Sequence, residues 1–270
     1  MKLASVPGSY WPFRAPVVAA GATPAVFGAV LSALAGTARA VRIGPVPDGD
    51  PAVTGLVAAA RQAGWGMAER VVGIGWVLDL NPADTDWPRT STMRKNRFHE
   101  KHLAAHGTLE WRQLGRADWP DALQALAQVE RLSWHSGQRD AKFANTRHAD
   151  FWREVANDSV LADSLTGALL SVDGRPAAFS FDLRAGETLF AVANSYDPSL
   201  AKHSPGKLLQ YRNLLAARQQ GVRQVDWGMG DSGYKRTMGA VEGPPLRDWL
   251  LIAPGPAAFA IRPLARWWTR

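Results

Sequence analysis

Apolar residues repeat along the chain with two periods, one near 3.6 and one of 2, and the switches between them mark helices and strands. Val26, Phe27, Val30, Leu31 and Leu34 form one helical face behind Thr23-Pro24, an N-cap followed by proline at the first helical position. The preceding "APVVAA" (15–20) reads as a strand, as does "RAVRIGPVP" (39–47). "DPAVTGLVAAARQAG" (50–64) is a helix with an Asp-Pro start and a glycine stop. "ERVVGIGWVLDL" (69–80) is β-rich, and Gly73 and Gly75 mark a bend or bulge. A basic helix (90–107) and a short strand (108–114) complete a first block.

The second block opens with helices at about 119–136 and 146–158. Alternating strands 165–172 and 175–186 flank Asp173-Gly174, a strong hairpin signal. A turn at Ala185-Gly186 leads into "TLFAVANSYD", followed by a helix within "SPGKLLQYRNLLAARQQG" (204–221). Then come a strand at 222–228, the turn-rich "MGDSGYKRTMGA" and a last strand at 246–253. The two blocks share an α/β rhythm, weak evidence for an internal duplication.

Composition narrows the picture. A chain of 270 residues with 46% hydrophobic and 20% charged residues is that of a globular protein with a substantial core. A net charge of +7 and a pI near 10.0 call for an anionic partner without choosing among nucleic acid, nucleotide cofactor and membrane surface. Cysteine is absent, which removes disulfides, thiolate metal sites and a cysteine nucleophile, and fits a cytoplasmic protein. The uncharged stretch between Arg14 and Arg39 is rich in alanine and glycine and interrupted by Pro24, so it reads as a buried strand–helix unit rather than a membrane span. The histidines and acids show no metal-ligand spacing, and no metal is expected.

The junction at 196–209, "YDPSLAKHSPGKLL", runs from strand through loop to the start of a helix. Unpaired N–H groups and the helix dipole make such a start a place for an anion, with Lys207 adding a point charge. The plainer reading is a helix capped by Ser204 and Pro205 that packs on a sheet.

Residues 119–240 resemble the GNAT acetyltransferase superfamily, in its CelD-like branch, close to FemAB-type transferases. The resemblance rests on "SW" (133–134), "DGRPAAFSFDL" (173–183), "YDPSLAKHSPGKLL" (196–209), "GVRQVDWGMGDSGYKRTMG" (221–239) and the upstream helix "RKNRFHEKHLAAHG" (94–107). It implies an α/β (α+β) fold with a mixed, mostly antiparallel sheet flanked by helices. It also implies a tandem arrangement: a degenerate N-terminal half (1–115), an acyltransferase domain (116–254) and a basic aromatic tail (255–270). In that fold acyl-CoA, acetyl-CoA for example, lies between two splayed parallel strands, here 188–195 and 222–228, with its pyrophosphate at the next helix. The resemblance thereby assigns donor binding to Ala193, Asn194, His203, Ser204, Gly206 and Lys207. The family carries Arg or Gln where this chain has His203, and a small residue where it has Leu208, so two of the turn's positions depart from the pattern.

Acyl transfer to an amine needs a base for the ammonium proton and an acid for the leaving thiolate. The family pattern makes Tyr234 the candidate acid; Asp226 or Asp231 is the candidate base, and Lys235 would hold an anionic group. The alternative for "GDSGYK" is a turn with a packed tyrosine. Trp134 is expected in the acceptor cleft or in the core, and Arg94 in a cationic surface for phosphates or a solvated helix face. The expected activity is N- or O-acyl transfer in cellulose, other polysaccharide or cell-envelope metabolism. The alternatives are aminoacyl transfer from tRNA and a non-catalytic binding protein. "IRPLARWWTR" at the C-terminus either docks on the protein or touches the inner face of a membrane peripherally.

Overall fold

Proline stands at or next to the first position of the helices Pro24–Thr37, Pro51–Gln62, Trp119–Leu132 and Pro205–Gln219, where its missing N–H costs nothing because no intrahelical acceptor exists there. The computed structural model describes residues 2–6, 14–19, 21–81, 83, 86–133, 141–230 and 233–259. Along the chain these form β1 (Leu3–Ser5), α1 (Pro24–Thr37), β2 (Ala40–Pro47), α2 (Pro51–Gln62), β3 (Gly66–Asp79) and α3 (Thr90–Leu103). They continue as β4 (Leu109–Leu114), α4 (Trp119–Leu132), α5 (Thr146–Asn157), β5 (Leu165–Val172), β6 (Arg175–Ala185) and β7 (Thr188–Tyr196). The last are α6 (Pro205–Gln219), β8 (Gln224–Met229), α7 (Tyr234–Met238), β9 (Val241–Ile252) and α8 (Pro256–Phe259). Contacts divide the chain into one unit of residues 1–76, 228–234 and 241–270 and another of 77–227 and 235–240.

In the first unit the strands run in the order β1-β2-β9-β3. β1 pairs parallel with β2, and β2 antiparallel with β9. α1 and α2 cover the sheet through Phe27, Leu31, Val53, Leu56 and Val57, joined by Trp65 after α2. Gly55 is required there, since a Cβ on it would lie 2.5 Å from the Phe27 ring. Buried Asp248 accepts from Arg42 at 2.6 Å and from Arg70 at 2.9 Å, so this carboxylate has two cations as compensation.

Three expectations need correction in this unit. Residues 15–19 form no strand; just before them Arg14 bonds to β2, its carbonyl accepting from Gly44 and its N–H donating to Pro45. Val26 and Val30 face solvent, because α1 is apolar on all sides and only Phe27, Leu31 and Leu34 turn to the core. The last strand starts at Val241, ahead of the expected 246, despite Pro244 and Pro245. Proline lacks a donor but keeps its carbonyl, and that of Pro245 accepts from Asp48 at 2.8 Å.

The second unit is a meander, β4-β5-β6-β7, with β8 added parallel to β7. Asp173 and Gly174 take φ of 49° and 71°, as a type I′ hairpin turn demands. α4 and α5 cover one face through Trp119, Leu126, Trp152, Phe179 and Phe181, and α6 covers the other through Leu208 and Leu209. Among the described residues no helix is long and apolar enough to cross a membrane. Trp134, Asp231 and the tail from 260 lie outside the described residues.

Candidate active site

β7 is paired on both sides for only its first three residues. Its parallel register with β8 runs Thr188↔Gln224, Leu189↔Val225 and Phe190↔Asp226, and no later pair is present among the described residues. β7 itself continues to Tyr196 along β6. The break coincides with a bulge: Asp182 pairs with Ala191 but Phe181 with Ala193, so Val192 is an extra residue. Ala193 and Asn194 therefore sit on the stretch of β7 beyond its pairing with β8, and Asp226 marks the point where that pairing stops.

The chain then turns toward α6. Asp197 caps a 3-10 turn (Pro198–His203) by accepting from the Ser199 N–H at 2.9 Å. Ser204 follows with φ 54° and ψ 46°, a left-handed conformation rare for a residue with a Cβ. An N-cap ordinarily has an extended backbone that aims its side-chain oxygen at the first helical N–H groups. In the left-handed region that aim is lost, and no side chain caps α6. The capped-helix expectation for Ser204 thus fails, and the amide end of α6 is left open.

Gly206 is small for a reason the sequence did not show. A Cβ there would stand 3.0 Å from the ring of Tyr196, so the end of β7 packs directly on the first turn of α6. Leu208 points into the core with Leu103, Leu170 and Ala178, away from the open end, so its bulk does not crowd an anion.

Positive charge gathers around this end. Burial, with Lys95 of α3 nearby, lowers the Lys207 ammonium below its ordinary range; its Nζ lies 5.9 Å from the Tyr211 ring centroid. The His203 imidazole is lowered by burial first, then by His106, Lys202, His102 and His99. His203 Nε2 lies 2.9 Å from His106 Nε2, so one ring must hand the other a lone pair. One stripe of α3, continuing to His106, therefore faces the α6 start. Like charges held together are stabilised by a bound anion.

Residues 90–236 match the family model described as Acetyltransferase (GNAT) domain, more than half the chain. The chain belongs to the GNAT acetyltransferase family. It is an acyltransferase. No curated protein matches it. Its fold is similar to the C-terminal domain of a putative lysylphosphatidylglycerol synthetase from Agrobacterium fabrum, with 16% identity and a TM-score of 0.57 over 88% of this chain and 76% of that one. L-PGS from Bacillus licheniformis is similar at 13% identity and a TM-score of 0.58, covering 92% and 78%. FemX gives 13% and 0.58, covering 88% and 79%. At these identities the likeness is one of fold.

Within this GNAT fold a buried polar network underlies the site. Asp182 of β6 accepts from Ser180 Oγ at 3.0 Å and from Asn213 Nδ2 of α6 at 2.8 Å; Asn213 also donates to Ser180 at 2.7 Å. Its donors are neutral, and burial pushes the carboxyl up to about 7. The network fixes α6 to the strand beside the bulge. Sequence reading missed it, although Ser180 and Asp182 alternate with Phe179 and Phe181 in an otherwise apolar strand.

The remaining candidates lie on other elements. Lys235 Nζ donates to the Trp227 carbonyl at 2.6 Å and ties α7 to β8. Tyr234 opens α7, half-buried. Arg94 is exposed on α3.

Proposed function

We propose that the donor is an acyl-CoA, acetyl-CoA being the simplest, and that the acceptor is an amine or hydroxyl of a sugar or cell-envelope precursor. The observation that carries this reading is the uncapped start of α6, packed on the end of a strand, β7, whose pairing with β8 stops after three residues. Gly206 and Lys207 offer N–H groups to the pyrophosphate; Lys207, Lys202 and His203 supply charge. The backbone of Ala193 and Asn194, beyond the bulge, aligns the acyl-carrying arm, as a strand aligns a neighbour. When bound, the donor supplies a thioester carbonyl activated toward nucleophiles.

In the reaction the acceptor nitrogen or oxygen bonds to the acyl carbon and the carbon–sulfur bond breaks. Asp226 or Asp231 takes the proton that the acceptor loses, and Tyr234 gives one to the departing sulfur. Trp134, Lys235 and Arg94 belong to the acceptor side in this reading. A Tyr234→Phe enzyme is expected to lose about 100-fold in kcat with donor affinity nearly unchanged, measured by steady-state kinetics and calorimetry.

A second donor, aminoacyl-tRNA, is favoured by one feature, the cationic face of α3 turned to the same helix start. Thermal shift separates the two, because a ligand bound only by the native state raises apparent stability. Stabilisation by acetyl-CoA supports the first reading. Tight, strongly salt-dependent binding of aminoacyl-tRNA with no response to acetyl-CoA supports the second.

A further inference from the structure

α3 carries a second cationic stripe that the donor site does not use. Lys95, His99, His102 and His106 reach the charges of His203 and Lys207. Arg97 and Lys101 lie on a different side of the helix and line an open cavity of about 860 Å³ between α3, the edge strand β4 and the β5–β6 turn. Trp111 of β4 forms part of its wall, along with Glu100, Thr108 and Asp173.

The charges in this cavity sort by what is already engaged. Glu100 is paired with Arg212. Asp173 accepts from the Thr108 N–H at 2.6 Å, and a Cβ on Gly107 would collide with its carboxylate, so it is held against the backbone. Arg97 and Lys101 are exposed and enter no ion pair among the described residues. Trp111 is partly buried, with the Arg212 guanidinium 4.1 Å from its ring centroid, which braces the indole. The unspent features are thus two cations and one aromatic wall. A neutral sugar would draw on the carboxylates, which are taken. A bare phosphate would leave the tryptophan unused.

We propose that this cavity binds a nucleoside monophosphate, its base packed against Trp111 and its phosphate held by Arg97 and Lys101. The site goes beyond the donor reading and does not depend on it. The same chemistry has three sources: the nucleotide end of the donor itself, a free nucleotide, or the last residue of an RNA strand.

Calorimetry on the full chain at low salt, with adenosine 5′-monophosphate and ribose 5-phosphate as probes, tests it. The nucleotide is expected to bind about tenfold tighter than the sugar phosphate. Trp111→Leu should erase that difference. The double variant Arg97→Gln, Lys101→Gln changes only exposed helix positions; it should weaken both ligands about tenfold and flatten their salt dependence with an unchanged melting temperature. Equal affinity of the two probes for the wild-type chain overturns the proposal, as does an unaltered nucleotide affinity in the double variant. Where the nucleotide binds, acetyl-CoA displacing it identifies the donor's own end as the source. Coexistence of the two identifies a separate nucleotide or RNA end, which a short oligonucleotide then distinguishes.

Discussion

α2 and α6 both begin with proline, yet they begin in opposite ways. At α2 the carboxylate of Asp50 accepts from the Val53 N–H at 2.9 Å, and the helix is closed by its own anion. At α6 Ser204 is left-handed, nothing caps the amides, and Lys202, His203 and Lys207 stand around them. The buried faces differ as well. α2 buries only alanine, valine and leucine, whereas α6 also buries Gln210, Asn213 and Tyr211. α2 holds only core, and it does so with a closed cap and an apolar face. α6 keeps its end free and is positioned by directional bonds from Asn213 to Ser180 and Asp182.

The largest effect expected from this contrast is on stability against pH. Asp182 keeps its proton in the folded protein up to about pH 7, while the unfolded chain releases it near the ordinary aspartate value of 3.8. Its contribution is therefore fully present below pH 3.8 and is lost as pH rises through 7. The loss is on the order of 4 kcal/mol over that window. Asp182→Asn should remove most of this slope in urea unfolding curves taken between pH 4 and 8. An unchanged slope would mean that the acid is not the group titrating beneath α6.

Next in size is the removal of charge from the open end. Lys207→Glu places an acid beside the α6 amides and should weaken acetyl-CoA by roughly 100-fold in calorimetry, about 2.7 kcal/mol. Lys207 is half-exposed, so the melting temperature should move little. Opening the other helix should do the reverse: Asp50→Ala is expected to cost about 1 kcal/mol in urea unfolding and leave donor affinity alone. Loss of donor binding in Asp50→Ala would erase the distinction between the two helix starts.

Much of this contrast was legible in the sequence, and the illegible parts have physical causes. Asp50-Pro51 and Ser204-Pro205 both announce a helix, because N-cap preference and the fixed φ of proline are local properties. The hairpin at Asp173-Gly174 is local in the same sense. Ser204's left-handed backbone carries no glycine to signal it. The cause of Gly206 lies in Tyr196, whose ring meets it only once β7 is in register with β6. His106 and His203 are far apart in sequence and meet only through packing of the helices. Asp182 could be seen to share a face with Ser180, but the helix covering that face could not be known. Val26 and Val30 misled because a helix apolar all round does not reveal which side it buries.

The central claim is that the free end of α6 holds the anionic part of an acyl-CoA. Ser204→Asp sets a carboxylate beside the open end of α6, where it competes with a bound anion for the positive end of the helix, at a left-handed position that aspartate tolerates better than most residues. Acetyl-CoA is titrated calorimetrically into the wild-type and Ser204→Asp chains, with melting temperatures recorded alongside. The account predicts measurable binding to the wild type, at least tenfold weaker binding to the variant, and an equal or higher melting temperature in the variant. Equal affinity in the two chains, or no binding to a folded wild type, would contradict it.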